Sequence, residues 1–154
     1  TTPITDVDRQ LSKTVGALQK VNSDFPGTSI AWEAQFKLAD LYFKYETRSG
    51  KAAKAFESAV KTSTTLREKL FALYSLAYAF ENQGKYEEAI KQLDLASGLS
   101  QPYLKAELLL SRARLLARSG KTAEAKKLYE QVSKDFANTD FARKADEWKS
   151  MSAI

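Results

Sequence analysis

The trio Gly120-Lys121-Thr122 invites a phosphate-binding reading, since a glycine followed by Lys and Thr closes a phosphate loop. That loop also requires a glycine five residues earlier, after a strand; the residue there is Leu115, inside a stretch with helical spacing. A turn between two helices is therefore the expected role. Acid–base chemistry would need carboxylates that converge in a pocket. The adjacent pairs Glu87-Glu88 and Asp146-Glu147 point about 100° apart on a helix, and Glu87 and Glu88 fall in a first turn, where acids favour the helix dipole. Solvated faces are the expectation for both pairs. Among the basic residues, Arg114 and Arg118 share a helical face, whereas Arg112 lies about 200° round from Arg114. The chain has no cysteine and no histidine, which removes zinc-finger ligands, thiol nucleophiles, the Ser-His-Asp relay and imidazole-bound haem or copper. No enzymatic activity, cofactor or metal is expected.

The elements that position these groups are helices. Ala and Leu number 40 of the 154 residues, against 9 for Val and Ile, a balance that favours helix over sheet. With 6 Gly and 3 Pro, breakers are scarce enough for each to mark a helix end. A chain of this length buries roughly 70% of its unfolded surface, enough to fold without metals or disulfides. No apolar stretch reaches the ~20 residues that span a bilayer, and the uncharged run from Phe71 to Phe80 suits a buried helix. Thr1 is neither an initiator Met nor part of a signal peptide, so a mature or trimmed form is expected. The net charge of +5 is uneven: residues 1–50 carry 6 basic and 6 acidic groups, whereas 105–154 carry 11 and 7.

Three Gly-Lys pairs, Gly50-Lys51, Gly84-Lys85 and Gly120-Lys121, recur at spacings of 34 and 36. Each is followed five residues after the glycine by alanine (Ala55, Ala89, Ala125) and preceded by an apolar helix carrying Ala39, Ala77 or Ala113. Tyr42, Phe80 and Leu116 stand three residues beyond those last alanines. The small residues are expected where antiparallel helices approach, and the large residue a turn later fills the adjacent space. The first copy has four extra residues around Glu46 to Ser49, about one helical turn. Two partial copies flank the three full ones, because the phrase from Asp24 to Ala31 matches the phrase from Asp135 to Ala142. The pattern predicts eight helices, at 6–23, 29–46, 51–62, 65–82, 85–97, 101–118, 121–135 and 140–151. Ser29 is the expected N-cap of the second, Thr65 with Glu68 the capping box of the fourth, and Ser100 with Pro102 the start of the sixth.

Leu70 to Ala96, with Leu76-Ala77, Phe80, Gly84-Lys85-Tyr86-Glu87-Glu88-Ala89-Ile90 and Ala96, resembles a tetratricopeptide repeat (TPR) over its whole length. The copies from Ala106 to Val132 and from Trp32 to Ala59 resemble it less closely. The resemblance implies one all-α domain over residues 1–154, a right-handed solenoid of stacked hairpins with a concave side. A half-repeat at about 6–28, repeats at about 29–64, 65–99 and 100–138, and a capping helix at about 139–151 make up that domain. The phrases Phe25-Pro26-Gly27-Thr28-Ser29-Ile30-Ala31 and Phe136-Ala137-Asn138-Thr139-Asp140-Phe141-Ala142 resemble linkers of bacterial cell-envelope TPR proteins, among them the ancillary subunit of the SecYEG translocon.

The resemblance implies a non-enzymatic protein-interaction scaffold of the bacterial envelope, periplasmic or envelope-associated, with a role in translocation or envelope assembly. Its partner would be a protein or peptide bound on the concave face, lined by Phe36, Asp40, Phe43, Lys44, Phe71, Tyr74, Tyr78, Leu110, Arg114 and Arg118. The carboxylate-clamp pattern of chaperone-binding relatives is absent, since Phe36, Asp40, Ser75, Glu107 and Ser111 stand at its places. Arg112 replaces Leu38 and Leu76 at a core-facing place, so its stem is expected to pack there and its guanidinium to reach water or a carboxylate on a neighbouring helix. The alternatives are a cytoplasmic location and binding of nucleic acid or another polyanion by the basic C-terminal third. Membrane attachment would come only through an anchor outside this chain. Trp148 and Met151 on the last helix are expected to pack on the seventh helix, on a further segment or on a second copy in a homodimer.

Overall fold

Glycine turns set the layout. A computed structural model describes residues 6–45, 50–99 and 104–151, and among them every regular element is helical: α1 Asp6–Asp24, α2 Ser29–Tyr45, α3 Lys51–Thr62, α4 Leu66–Asn82, α5 Tyr86–Leu99, α6 Lys105–Arg118, α7 Thr122–Asp135 and α8 Asp140–Met151. These spans follow the expected ones closely, and α6 is described from Lys105 onward. The proposed start at Ser100 and Pro102 and the extra turn at Glu46 to Ser49 lie outside the described residues. Gly50, Gly84 and Gly120 all adopt positive φ, at 73°, 73° and 84°. At two of them the same pair of hydrogen bonds closes the preceding helix. The Lys85 amide donates to the Phe80 carbonyl and Gly84 to Glu81; the Lys121 amide donates to Leu116 and Gly120 to Ala117. This is a left-handed helix stop that glycine adopts without a Cβ penalty, and it returns the chain antiparallel within two residues.

The chain divides into two compact units, Thr1–Ala72 and Leu73–Ile154. In the first, α2 packs between α1 and α3. Ala39 and Ala59 are fully buried and let α2 and α3 approach, while Phe56 fills the space between them. The Phe36 ring meets Phe56 edge-on at 5.4 Å, Phe43 does so at 6.4 Å, and Trp32 stacks on Phe36 at 5.0 Å. Gln35 is buried in α2 and its amide is satisfied on both sides: Asn22 of α1 donates to its Oε1 at 2.9 Å, and its Nε2 donates to the Ala55 carbonyl of α3 at 3.1 Å. The Trp32 indole likewise donates to the Ala59 carbonyl at 2.9 Å.

The two matching linker phrases build the same structure. Gly27 and Asn138 both take positive φ, 74° and 65°. Thr28 and Thr139 then cap the next helix, their hydroxyls accepting from the Ala31 and Ala142 amides and donating to the Phe25 and Phe136 carbonyls. The N-cap of α2 is thus Thr28 rather than Ser29. Ser29 is the first helical residue, and its hydroxyl meets that of Thr64 at 3.1 Å. The expected capping box at α4 is present: Glu68 accepts from the Thr65 amide at 3.0 Å, and the Glu68 amide donates to Thr65 Oγ1 at 3.1 Å. The same carboxylate also accepts from the Thr64 amide and hydroxyl.

Burial alone would raise the Glu68 pKa, but these hydrogen bonds from Thr64, Ser29 and Thr65 outweigh it and hold the carboxyl below its usual range. A depressed native pKa stabilises the fold above the unfolded value, about 4.3, and that contribution is lost as pH falls through the native value. Glu68→Gln is expected to cost about 1–3 kcal/mol at neutral pH. In urea titrations the gap between the two proteins should close below pH 4; a gap unchanged from pH 7 to pH 3 would refute the assignment.

In the second unit α5, α6, α7 and α8 pack in sequence, each against the next. Ala89, Ala113 and Ala125 are all fully buried, as their repeat positions predict, and Tyr129, Leu93, Leu115 and Val132 fill the space around them. Trp148 of α8 meets Tyr129 of α7 edge-on at 6.4 Å, while Met151 is 64% exposed. No helix among the described residues is long and apolar enough to cross a membrane.

Candidate partner-binding surface

On α4, Tyr74, Tyr78 and Glu81 are spaced four and three apart and share a face; on α6, Glu107, Ser111, Arg114 and Arg118 do the same. The repeat brings these two faces together at sequence separations of 33 and 37. Tyr74 donates its hydroxyl hydrogen to Glu107 Oε1 at 3.0 Å, and its oxygen lies 3.2 Å from Ser111 Oγ and 3.4 Å from Tyr78 Oη. Burial pushes the Tyr74 phenol well above its ordinary value, so it serves as a neutral donor. The Tyr74 and Tyr78 rings meet edge-on at 5.1 Å.

One turn further along, Arg114 grips Glu81 with both terminal nitrogens, one of them 2.9 Å from Oε2. Arg118 shares the other carboxylate oxygen. The Glu81 side chain is 3% exposed, against 25% for Arg114 and 49% for Arg118, so two partly solvated cations rest on one internal anion. Arg114 also lies over the Tyr78 ring at 5.4 Å and Arg118 over the Tyr86 ring at 5.3 Å, geometry in which the ring face attracts the guanidinium. The Glu81 hydrogen bond holds the Arg118 proton more firmly than usual.

Of the ten residues expected at the binding face, four therefore stand in this row: Tyr74, Tyr78, Arg114 and Arg118. Leu110 does not belong to it. It occupies the repeat position of Tyr74 on α6, but its side chain is short and ends inside the core, where it is 4% exposed. Tyrosine at the same register carries its hydroxyl out to the polar row. The remaining five lie in the first unit. Phe36 and Phe43 are half-buried and serve the aromatic cluster around Phe56. Asp40 is exposed, with desolvation holding its carboxyl above the ordinary range. Lys44 lies over the Tyr45 ring at 5.3 Å, and Phe71 is 52% exposed with Arg67 over its ring.

Glu81 and Tyr86 were not singled out from sequence, although opposite charges 33 residues apart in a 34-residue repeat, Glu81 and Arg114, were a readable signal. Arg112 behaves as expected, pairing with Asp94 of α5 at 2.8 Å. The other chemical candidates are engaged structurally. Lys121 pairs with Glu87 at 2.6 Å, and Asp146 accepts from the Ser133 hydroxyl at 2.6 Å. Among the described residues no group of acids is arranged to hold a metal ion.

Successive helical hairpins with small residues at each crossing and a left-handed glycine between their arms define a helical-repeat protein. Residues 72–103 and 107–139 each match a family model described as a tetratricopeptide repeat, so the chain contains tetratricopeptide repeats. No curated protein matches the sequence. Among solved structures, one of nearly identical TPR-like repeats from Podosopora anserina, in a chain assigned as a kinesin light chain, aligns with a TM-score of 0.73 at 18% identity. It covers 94% of this chain and 78% of that one. A point variant of that same protein gives the same values. The fold is accordingly all-α and of the TPR solenoid class.

Proposed function

We propose that this chain is a non-enzymatic scaffold that binds a protein or peptide partner on the face shared by α4 and α6. The observation that carries the reading is the row from Glu107 to Arg118, in which Tyr78 and Arg118 are fixed by internal partners yet remain exposed. Fixed, exposed aromatic and arginine side chains lose little entropy on binding and supply most of the energy at protein interfaces. The missing Cys and His and the structural engagement of Lys121, Glu87 and Asp146 support a role without catalysis.

Polyanion binding by the C-terminal third is the weaker reading, because Arg112, Arg114, Lys121, Arg143 and Lys149 already face carboxylates of the chain. A bacterial-envelope setting, with a part in translocation or assembly, is the further proposal. It rests on the resemblance of the two linker phrases to linkers of bacterial cell-envelope TPR proteins.

The test places a photo-crosslinking phenylalanine analogue at Tyr78 in cells that express the natural protein. Discrete adducts to one or a few proteins are expected there, and not when the analogue replaces exposed Leu95 on α5. Equal adducts at both positions would overturn the assignment of the face.

A further inference from the structure

We propose that the α4–α6 face takes a short extended peptide segment of fixed polarity, with an acidic side chain on Arg118, an apolar side chain over Tyr78 and a basic side chain beside Glu107. The inference rests on the scaffold reading and specifies its ligand. Its origin is charge stoichiometry. Arg114 and Arg118 share the single carboxylate of Glu81, which leaves one positive charge uncompensated at that end of the row. Glu81 is sealed from solvent and cannot be displaced, so it acts as a permanent counter-ion that holds both guanidiniums in place. Arg118, the more exposed of the two, directs only one terminal nitrogen at Glu81. A guanidinium carries five N–H donors; with Glu81 and the Tyr86 side chain engaged, donors remain for a second carboxylate.

The opposite end is negative, where among the described residues Glu107 accepts from the neutral Tyr74 hydroxyl and faces no cation. Between them the Tyr78 ring is 37% exposed and offers an apolar surface. Glu107 and Arg118 are 11 residues apart on one helix, a rise of ~16 Å. An extended chain covers that length with about five residues. A uniform phosphate chain would meet repulsion at Glu107, whereas a segment bearing opposite charges about four residues apart matches both ends.

The test uses the whole 154-residue chain and three blocked pentapeptides at low salt: Lys-Ala-Leu-Ala-Glu, Lys-Ala-Leu-Ala-Gln and Glu-Ala-Leu-Ala-Glu. The arginine Nε–H signals and the backbone amides are followed by NMR. The first peptide is expected to shift the Arg114 and Arg118 signals saturably and to bind about tenfold more tightly than either of the others, the factor typical of one charge-assisted hydrogen-bonded pair. Arg118→Gln should remove the first peptide's advantage over the glutamine peptide, while its preference over Glu-Ala-Leu-Ala-Glu, set at Glu107, persists; Glu81 keeps Arg114 in this variant, so the fold is retained. Equal affinities for the three peptides, or no saturable shift at millimolar peptide, would overturn the proposal. So would a short DNA duplex that saturates the same signals more tightly than the first peptide. If Tyr78 adducts form in cells while the pentapeptides do not discriminate, the scaffold reading stands and the polarity assignment falls.

Discussion

Replacing Arg114 and Arg118 together by alanine is expected to lower the free energy of unfolding by about 3 kcal/mol. The double variant leaves Glu81, 3% exposed, with a charge and no cation. Removing the partners of a buried charge costs about 3–5 kcal/mol, and the lower end applies here because water already reaches the guanidinium side of the pair. The single variants should be milder: with Arg118 gone, Arg114 still grips both carboxylate oxygens. The diagnostic step is the triple variant. Adding Glu81→Leu to the double variant removes the stranded charge and should restore most of the loss, since replacing all partners of a buried polar group by apolar atoms is close to neutral. Urea unfolding followed by circular dichroism measures each member of the series. A triple variant no more stable than the double would show that the stranded carboxylate is not the cause.

The second large effect lies in the first unit. Phe56→Ala should cost about 3–5 kcal/mol, the usual range for a fully buried phenylalanine. Phe56 is 1% exposed, and its truncation opens a cavity beside the Phe36 and Phe43 rings. Ala39 and Ala59 have no side chain to extend, and α2 is already tied to α3 through the Trp32 and Gln35 hydrogen bonds. The cavity therefore stays open. Phe43→Ala, at a half-buried ring that meets Phe56 only at its edge, should cost about 1 kcal/mol. Urea midpoints for the two variants compare them directly; equal losses would mean that α2 and α3 close over the gap.

What could be read beforehand divides along a physical line. The hairpin arrangement was legible because its determinants are local and repeat: a glycine that adopts positive φ at 50, 84 and 120, and alanines such as Ala39 and Ala113 where helices cross. The capping box at Thr65 and Glu68 was legible for the same reason. Thr28 and Ser29 could not be ranked as caps, because each is a hydroxyl next to the same helix start and only the backbone at Gly27 decides between them. Gln35 and Glu81 escaped notice because a polar residue on a helical pattern reads as solvated. Their burial depends on partners 13 to 37 residues away that satisfy them. Leu110 shows the remaining difficulty: it shares the repeat position of Tyr74 yet is buried, because side-chain length determines whether a residue at that register ends in the core or beyond it.

The pairing of Glu81 with two arginines four residues apart bears on how such a repeat can change over generations. A residue inserted between Ser111 and Arg114 would turn the rest of α6 by about 100°, carrying both guanidiniums off Glu81 and off the rings of Tyr78 and Tyr86 at once. An insertion ahead of Lys105 leaves the phase of α6 untouched. Added length is thereby tolerated outside α6 and not between Ser111 and Arg118, where one carboxylate and two rings fix the helical phase.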